Sequence, residues 1–102
     1  MTNFSDMLTK AKAMQEKMKE AQDQIKKIEV EGMSGGNLVK VILSGDYELK
    51  SIEITEDAKK ESQEIINDLI IAAYNNAKEN LKKKSAEELS KVAGGLDLPL
   101  DF

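Results

Sequence analysis

The sequence predicts an α+β fold, with a long N-terminal helix, a three-stranded antiparallel meander, a long second helix and a short C-terminal helix. Three observations support this prediction. Apolar residues recur every three or four positions up to Ile28, which is the spacing of a helix face. The spacing then changes to two, between turns that contain glycine, as in strands of a hairpin. A dense apolar face at helical spacing follows Asp57.

The first helix is predicted over residues 3–28. Asn3 or Ser5 is a suitable N-cap, and Asp6 suits the positive end of the helix dipole. The apolar residues of this helix form a narrow seam that consists of Phe4, Met7, Ala11, Met14, Met18, Ala21, Ile25 and Ile28. A seam of this width is typical of a helix that packs against another helix.

Three strands are predicted over residues 29–33, 38–43 and 48–54. Turns at residues 34–37 and 45–46 separate them, because Gly and Asn accept a positive φ. Val39, Val41 and Leu43 alternate onto one face of the second strand. We expect that face to be covered by a helix.

The second helix is predicted to begin near Asp57 and to cover the sheet, with Tyr74 in the core. Residues 85–88 (SAEE) match a capping box, so we expect a break there and a short last helix that ends at Gly94 and Gly95. Residues 1–93 then form a single domain, and residues 94–102 form a flexible C-terminal tail.

The composition excludes several classes of site. The chain has no His, Cys, Trp or Arg. This composition excludes catalysis by an imidazole or a thiol, and it excludes the typical zinc sites built from His and Cys. Acidic residues cluster around the third strand, but their spacing matches no cation-binding loop. We therefore expect no enzymatic activity, no metal and no cofactor. No apolar run reaches the roughly 20 residues of a membrane span, and we expect a cytoplasmic protein.

Lysine rows on the first helix are the feature that suggests a ligand. Lys12, Lys19 and Lys26 lie seven residues apart, and Lys10 and Lys17 form a second row. Such rows form the solvated flank of a coiled coil, or they form an electrostatic track for nucleic-acid phosphates. Because every basic side chain is Lys, any nucleic-acid contact should favour the backbone over the base edges.

Several stretches along the chain resemble the YbaB/EbfC nucleoid-associated proteins. They are residues 14–18 (MQEKM), 29–32 (EVEG), 36–41 (GNLVKV), Gly45, 52–54 (IEI), 68–77 (DLIIAAYNNA) and 95–99 (GLDLP). The set occurs in order, without large insertions, over nearly the whole chain.

This resemblance implies a homodimer of α/β/α type, with projecting helices that contact duplex DNA like tweezers, and no enzymatic activity. The expected partners are double-stranded DNA and a second copy of the chain, with no membrane or small-molecule substrate, and the expected location is the nucleoid. The DNA-binding positions implied are Lys10, Lys12, Lys17, Lys19, Lys26, Lys27, Lys82, Lys83 and Lys84. The alternative is a protein-interaction module, in which the Met-rich seam grips another helix and DNA binding is incidental.

Overall fold

The chain folds as a three-stranded sheet. One long helix packs on a face of this sheet, and another long helix precedes its first strand. The structure is a computed structural model that describes residues 3–95. Its elements are α1 (Phe4–Lys26), β1 (Glu29–Ser34), β2 (Val39–Ser44), β3 (Leu49–Ile54), α2 (Glu56–Lys59) and α3 (Gln63–Gly95). The strands form one antiparallel sheet in the order β1-β2-β3. The α+β prediction is confirmed.

Helix α1 begins at the predicted cap and ends slightly earlier than predicted. The Asn3 side chain accepts a hydrogen bond of 2.8 Å from the backbone N–H of Asp6. At the other end, the N–H of Lys27 donates to the carbonyl of Gln24 and closes the last turn. Ile28 leaves the helix because its half-buried side chain packs against the core. The helix thus ends where burial against the sheet begins.

The core lies between α3 and the face of β1 and β2. Val39, Val41 and Leu43 are fully buried, as predicted from their alternation. The α3 residues buried against them are Ala73, Ala77 and Leu81. Gly32 of β1 lies so close to the backbone of Ala73 and Ala77 that a Cβ would overlap it. A glycine opposite two alanines therefore lets the helix lie close against the sheet.

Two asparagines of α3 cover the outer edge of β1. The N–H of Met33 donates to Asn76 Oδ1 at 3.0 Å, and Asn80 Nδ2 donates to the carbonyl of Glu31 at 2.8 Å. These backbone groups point away from β2, so they are the groups that another strand would use for pairing. Side chains of α3 occupy them instead, which protects this edge.

Strand β3 is covered far less than its neighbours. Ile52 pairs with Val41 and Ile54 with Val39, so their side chains lie on the same face as the core. Helix α3 lies over β1 and β2, and both Leu49 and Ile52 remain 44% exposed. The sheet therefore has one protected edge and one apolar, exposed edge.

A helix begins at Glu56, one residue from the predicted start near Asp57, but it is short, and the long helix α3 is separate from it. Thr55 is the cap: its hydroxyl accepts from the N–H of Ala58 at 3.2 Å and donates to the carbonyl of Leu38 at 2.9 Å. This bond to the sheet fixes the start of α2 directly after β3. The chain then turns, and α3 begins at Gln63 with the Ser62 hydroxyl accepting from the N–H of Ile65.

The predicted break at residues 85–88 is wrong, because α3 continues without interruption to Gly95, and residues 85–95 form no separate short helix. Neither Gly nor Pro interrupts residues 63–93, and the inward stripe continues through the half-buried residues Ser85, Glu88 and Val92. Packing along this stripe outweighs the local capping signal. Gly94 and Gly95 belong to the last turn of α3. Residues 96–102 of the predicted tail lie outside the described residues.

Candidate nucleic-acid interface

Helix α1 carries its lysines away from the sheet. Almost its whole length is exposed, and Ala21 is its one buried residue. The six lysines from this helix and its C-cap are all exposed; they are Lys10, Lys12, Lys17, Lys19, Lys26 and Lys27. Lys12 and Lys26 are separated by about 21 Å along the axis, at 1.5 Å per residue. The predicted rows therefore form an accessible charged surface.

The base of α1 packs against the C-terminal part of α3. A groove of about 280 Å³ lies between the two helices at this point. Its lining residues are Lys17, Glu20, Ala21, Gln24, Glu88, Lys91 and Val92. Only the second half of α1 meets α3 in this way, so the first half extends beyond this groove.

The two helices run in opposite directions. Along α3, Leu69, Asn76 and Asn80 contact Ser34, Met33 and Glu31 in turn, so α3 runs antiparallel to β1. Residues 88–92 then reach α1, beyond the start of β1. We call α1 together with residues 78–95 of α3 the arm, and the sheet with α2 and the start of α3 the body.

The lysines of α3 also lie on the arm. Lys82, Lys83 and Lys84 are exposed in mid-helix rather than at a helix end. Successive residues turn by about 100°, so these three side chains point in different directions and cannot all contact one ligand surface. The sequence interpretation missed Lys78, which is exposed and lies one turn before Lys82 on the same side. Their i,i+4 spacing becomes informative once α3 is known to be continuous.

Ion pairing divides the lysines of residues 3–95 into two groups. In the body, each lysine lies within 4 Å of a carboxylate: Lys40 beside Glu31 and Glu53, Lys50 beside Glu48, Lys59 beside Glu56, and Lys60 beside Asp57. In the arm, Lys17 pairs with Glu20 at 3.5 Å, and Lys91 pairs with Glu88 at 3.2 Å. The arm lysines without such a partner are Lys10, Lys12, Lys19, Lys26, Lys27, Lys78, Lys82, Lys83 and Lys84.

The acidic residues of the body are engaged by neighbours on the surface. Lys40 donates a hydrogen bond to the Glu53 carboxylate, and this bond is the main cause of the raised pKa of Lys40. The negative charge of Glu31 raises the pKa of Lys40 further. Asp46 accepts from the Ser44 hydroxyl, which lowers the pKa of the Asp46 carboxyl. No group of three or more acidic residues in the described part of the chain is arranged to hold a metal ion. These carboxylates are therefore engaged within the fold. The body remains acidic because its acids outnumber its lysines.

The arm is suited to neutralising a polyanion. Residues 4–27 carry six lysines against four acids, and residues 78–92 carry five lysines against three acids. An α-helix fits the major groove of B-DNA, which is about 12 Å wide, and lysines on its sides then reach the phosphates. Screening limits repulsion from the acidic body to about 8 Å at physiological salt. The basic arm can therefore attract phosphate although the whole chain has a net charge of −4.

The model of the YbaB/EbfC DNA-binding family matches residues 1–96. A nucleoid-associated protein of Rickettsia typhi is 40% identical, over 100% of this chain and 96% of its own length. One of Hahella chejuensis is 35% identical, over 98% of this chain and 93% of its own length. One of Thermoanaerobacter pseudethanolicus is 39% identical, over 95% and 88% respectively.

The fold also matches a solved structure. The crystal structure of an uncharacterized protein from Helicobacter pylori superposes with a TM-score of 0.72. The superposition covers 89% of this chain and 97% of the other, at 18% sequence identity, so it supports the fold alone. Among residues 3–95, no helix has the length and apolar character needed to cross a membrane.

Proposed function

The chain belongs to the YbaB/EbfC DNA-binding family, and from this premise we propose that it is a nucleoid-associated homodimer whose arm lysines neutralise the phosphates of duplex DNA. The same proposal locates it on the nucleoid, in the cytoplasm. Its role is binding rather than catalysis. The arm supplies the charge, and the body joins two copies.

The main support for the proposal is that the lysines of the body are ion-paired, whereas most lysines of the arm are not. Body lysines have carboxylate partners within 4 Å, whereas nine arm lysines have none within residues 3–95. A lysine without a local partner has its full charge available to a phosphate. Unpaired charges concentrated on the arm, while the lysines of the body are paired, favour a polyanionic ligand at the arm.

The mechanism is electrostatic. A lysine is a flexible point charge, and the chain has no guanidinium to form a rigid fork on a guanine edge. Binding would release counterions from the DNA in proportion to the phosphates neutralised. If six lysines each engage one phosphate, the slope of log K against log salt is about −5, at about −0.9 for each phosphate.

The exposed face of β3 is the surface that we propose for dimerisation. Leu49 and Ile52 lie there, exposed, beside α3. Ile70 and Tyr74 line the same side of α3, since Asn76 and Asn80 face the opposite edge at β1. A second copy related by a twofold axis would cover β3 as α3 covers β1 and β2. Burial of one Leu or Ile contributes about 1.5–3 kcal/mol, so a few such side chains make a substantial contribution.

Charge reversal on the arm tests the DNA contact. The variant Lys12→Glu, Lys19→Glu, Lys26→Glu should bind duplexes of any sequence more weakly, and its salt slope should be about 3 smaller in magnitude, because three phosphate contacts are lost. The matched control reverses Lys50, Lys59 and Lys60, which lie in the body and carry the same charge change.

The control also breaks three exposed ion pairs, which contribute little to stability. Circular dichroism establishes that both variants are folded. Equal weakening by the arm and body variants would show that net charge, and not the arm surface, determines binding. An unchanged affinity in the folded arm variant would contradict the proposal directly.

The protein-interaction alternative is supported by the apolar seam of α1, where Met7 and Met14 are exposed. It predicts that the chain retains a protein partner in a pull-down at physiological salt and retains no duplex DNA. Substitution of Met7 and Met14 by Gln would then abolish the partner contact. The electrostatic proposal instead expects duplex DNA to be retained and the lysine variant to lose it.

A further inference from the structure

The apolar seam of α1 is covered at its base and uncovered toward its N-terminus. The exposed fraction is 4% at Ala21, 38% at Met18, 58% at Met7 and 74% at Phe4. Helix α3 accounts for the buried end, since Val92 and Glu88 line the groove beside Ala21. The rest of the seam is an apolar strip, about 21 Å long from Phe4 to Met18 at 1.5 Å per residue.

The chain leaves α3 next to this strip. Because α3 runs antiparallel to α1, its numbering increases toward the N-terminal half of α1. Gly95 lies three residues, or about 4.5 Å, past Val92 along the helix axis. Residues that follow Gly95 therefore begin beside the exposed part of the seam.

Residues 96–102 have the pattern that such a strip would accept. Their sequence, LDLPLDF, places an apolar side chain at every second position: Leu96, Leu98, Leu100 and Phe102. Alternation of this kind suits an extended segment with one apolar side, and Pro99 disfavours continuation of the helix. Seven extended residues span about 23 Å, at 3.3 Å per residue, which matches the length of the strip.

The charges of the two surfaces are complementary. Asp97 and Asp101 alternate with the apolar residues of the segment. Residues 4–18 carry three exposed lysines, Lys10, Lys12 and Lys17, against two acids, Asp6 and Glu16. Lys17 also pairs with Glu20, so within residues 3–95 Lys10 and Lys12 are the unpaired lysines nearest the strip. An extended segment seated on the seam would bring its two carboxylates near these lysines. It would then occupy the charges that phosphate requires.

We propose that residues 96–102 dock on the α1 seam of the same chain and compete with duplex DNA for the lysines beside it. The competition rests on the proposed DNA-binding function, whereas the docking stands on the seam itself. The segment acts as an internal anionic competitor. Its leucines pack on the apolar seam, and its aspartates pair with the lysines beside the seam. DNA binding then requires the segment to leave.

Full-length variants that change no charge separate docking from general electrostatics. In the test variant, Leu98→Ser and Leu100→Ser remove the apolar contacts. The matched control, Leu98→Met and Leu100→Met, keeps apolar side chains of similar volume. The first readout is the methyl NMR spectrum of Met7, Met14 and Met18 without DNA, with Met33 on the sheet as an internal reference. The second readout is the affinity for a duplex of random sequence at fixed salt.

Docking predicts that the serine variant shifts the α1 methionine signals and leaves Met33 in place, while the methionine control resembles the parent. If the segment is docked nine-tenths of the time, its release tightens DNA binding about 10-fold, because the competent fraction rises from a tenth to nearly all. Unchanged methionine signals in the serine variant would overturn the proposal. Signals that depend on protein concentration would identify a second copy on the seam and would also overturn it.

The two proposals fail in different ways. If neither the parent nor the serine variant binds DNA, the proposed function is wrong, while the methionine signals still report docking. If the signals shift and the DNA affinity stays the same, the segment docks without competing, and the inference as stated is overturned.

Discussion

Gly45 lies directly against the backbone carbonyl of Ile25, so close that a Cβ at this position would overlap the carbonyl group. Gly45 is buried in the connection between β2 and β3, and Ile25 is in the last turn of α1. This contact joins the base of the arm to the body at a backbone-to-backbone distance that a side chain would not allow. The position of α1 on the sheet depends on it.

Replacing Gly45 by Ala should separate α1 from the sheet. The new methyl group meets backbone rather than a movable side chain, so we expect a loss of about 3 kcal/mol, at the upper end of overpacking effects. Urea unfolding measures this loss, and amide hydrogen exchange should become faster along α1.

Gly36→Ala is the control, because its Cβ would meet nothing within 4 Å. Its φ of +74 disfavours a side chain, and the strain alone costs about 1–2 kcal/mol. Exchange along α1 should not change in this variant. If Gly45→Ala is no more destabilising than Gly36→Ala, and exchange in α1 stays slow, the contact does not hold the arm.

Asp46 should make stability depend on pH in the acid range. The Ser44 hydroxyl donates to this carboxylate and lowers its pKa below the ordinary 3.8. A lowered pKa stabilises the fold above the unfolded value, and the stabilisation is lost as pH falls through the folded value. The stability difference between the parent and Asp46→Asn should therefore be constant above about pH 5 and shrink below about pH 4.

Urea unfolding at several pH values measures this difference. In Ser44→Ala the donor is absent, so the further substitution Asp46→Asn should have a smaller and less pH-dependent effect. A parent-to-Asp46→Asn difference that is the same at about pH 7 and about pH 3 would exclude the role assigned to this pair.

A charge on the exposed face of β3 should dissociate the proposed dimer. Ile52→Glu places a carboxylate where the second copy would bury an apolar side chain, and an unpaired buried charge costs several kcal/mol. Sedimentation equilibrium should change from a dimer to a monomer mass. Ser51→Glu is the control, since it adds the same charge to the opposite face of the same strand. Equal masses for both variants and the parent would place the dimer contact elsewhere.

Removing the asparagines that cover β1 should open the protected edge of the sheet. In the double variant Asn76→Ala, Asn80→Ala, the N–H of Met33 and the carbonyl of Glu31 lose their partners. Each lost hydrogen bond costs about 0.5–1.5 kcal/mol. An uncovered edge can also pair with another chain, so light scattering should detect species larger than a dimer.

Asn75→Ala provides the comparison, because Asn75 is exposed on the adjacent position of α3. This variant should scatter like the parent. Large species in both variants would point to a general loss of solubility rather than to the edge.

Local signals in the sequence were sufficient for most of the fold. The cap at Asn3 depends on its own side chain and the N–H of Asp6, three residues away, so it is visible in the sequence. The glycines at 35 and 36 have positive φ and mark the first hairpin turn. The buried alternation of Val39, Val41 and Leu43 follows directly from the period of a strand.

Features that depend on distant contacts were not predictable in this way. Thr55 was missed as the cap of α2 because its hydroxyl is positioned by the carbonyl of Leu38, seventeen residues away. The capping signature at Ser85 is overridden by packing along the inward stripe. The covering of the β1 edge by Asn76 and Asn80 requires the helix to be placed before the bonds can be seen.

The candidate site was predictable as a list of residues but not as a surface. The rows of Lys12, Lys19 and Lys26 follow from their spacing, and all three are exposed. The pairing of Lys40 depends on carboxylates of the two neighbouring strands, which the sequence alone does not bring together. Lys50 and Lys60 have carboxylates two and three residues away, but close spacing alone does not show which lysines are paired. Whether these residues bind DNA remains a prediction for the charge-reversal experiment.

The contact between Gly45 and Ile25 gives α1 the mechanics of a lever with its fulcrum at the sheet. The helix has 23 residues and a length of about 34 Å, so a tilt of about 10° at the fulcrum, shared by the end of α3 that packs on α1, moves its tip by about 6 Å. Small adjustments at one tight backbone contact thus become large displacements at Phe4. In the proposed dimer, two such levers would adapt their separation to duplexes of different groove width without any change in the sheet, and stiffness at Gly45 would set how much adaptation is possible.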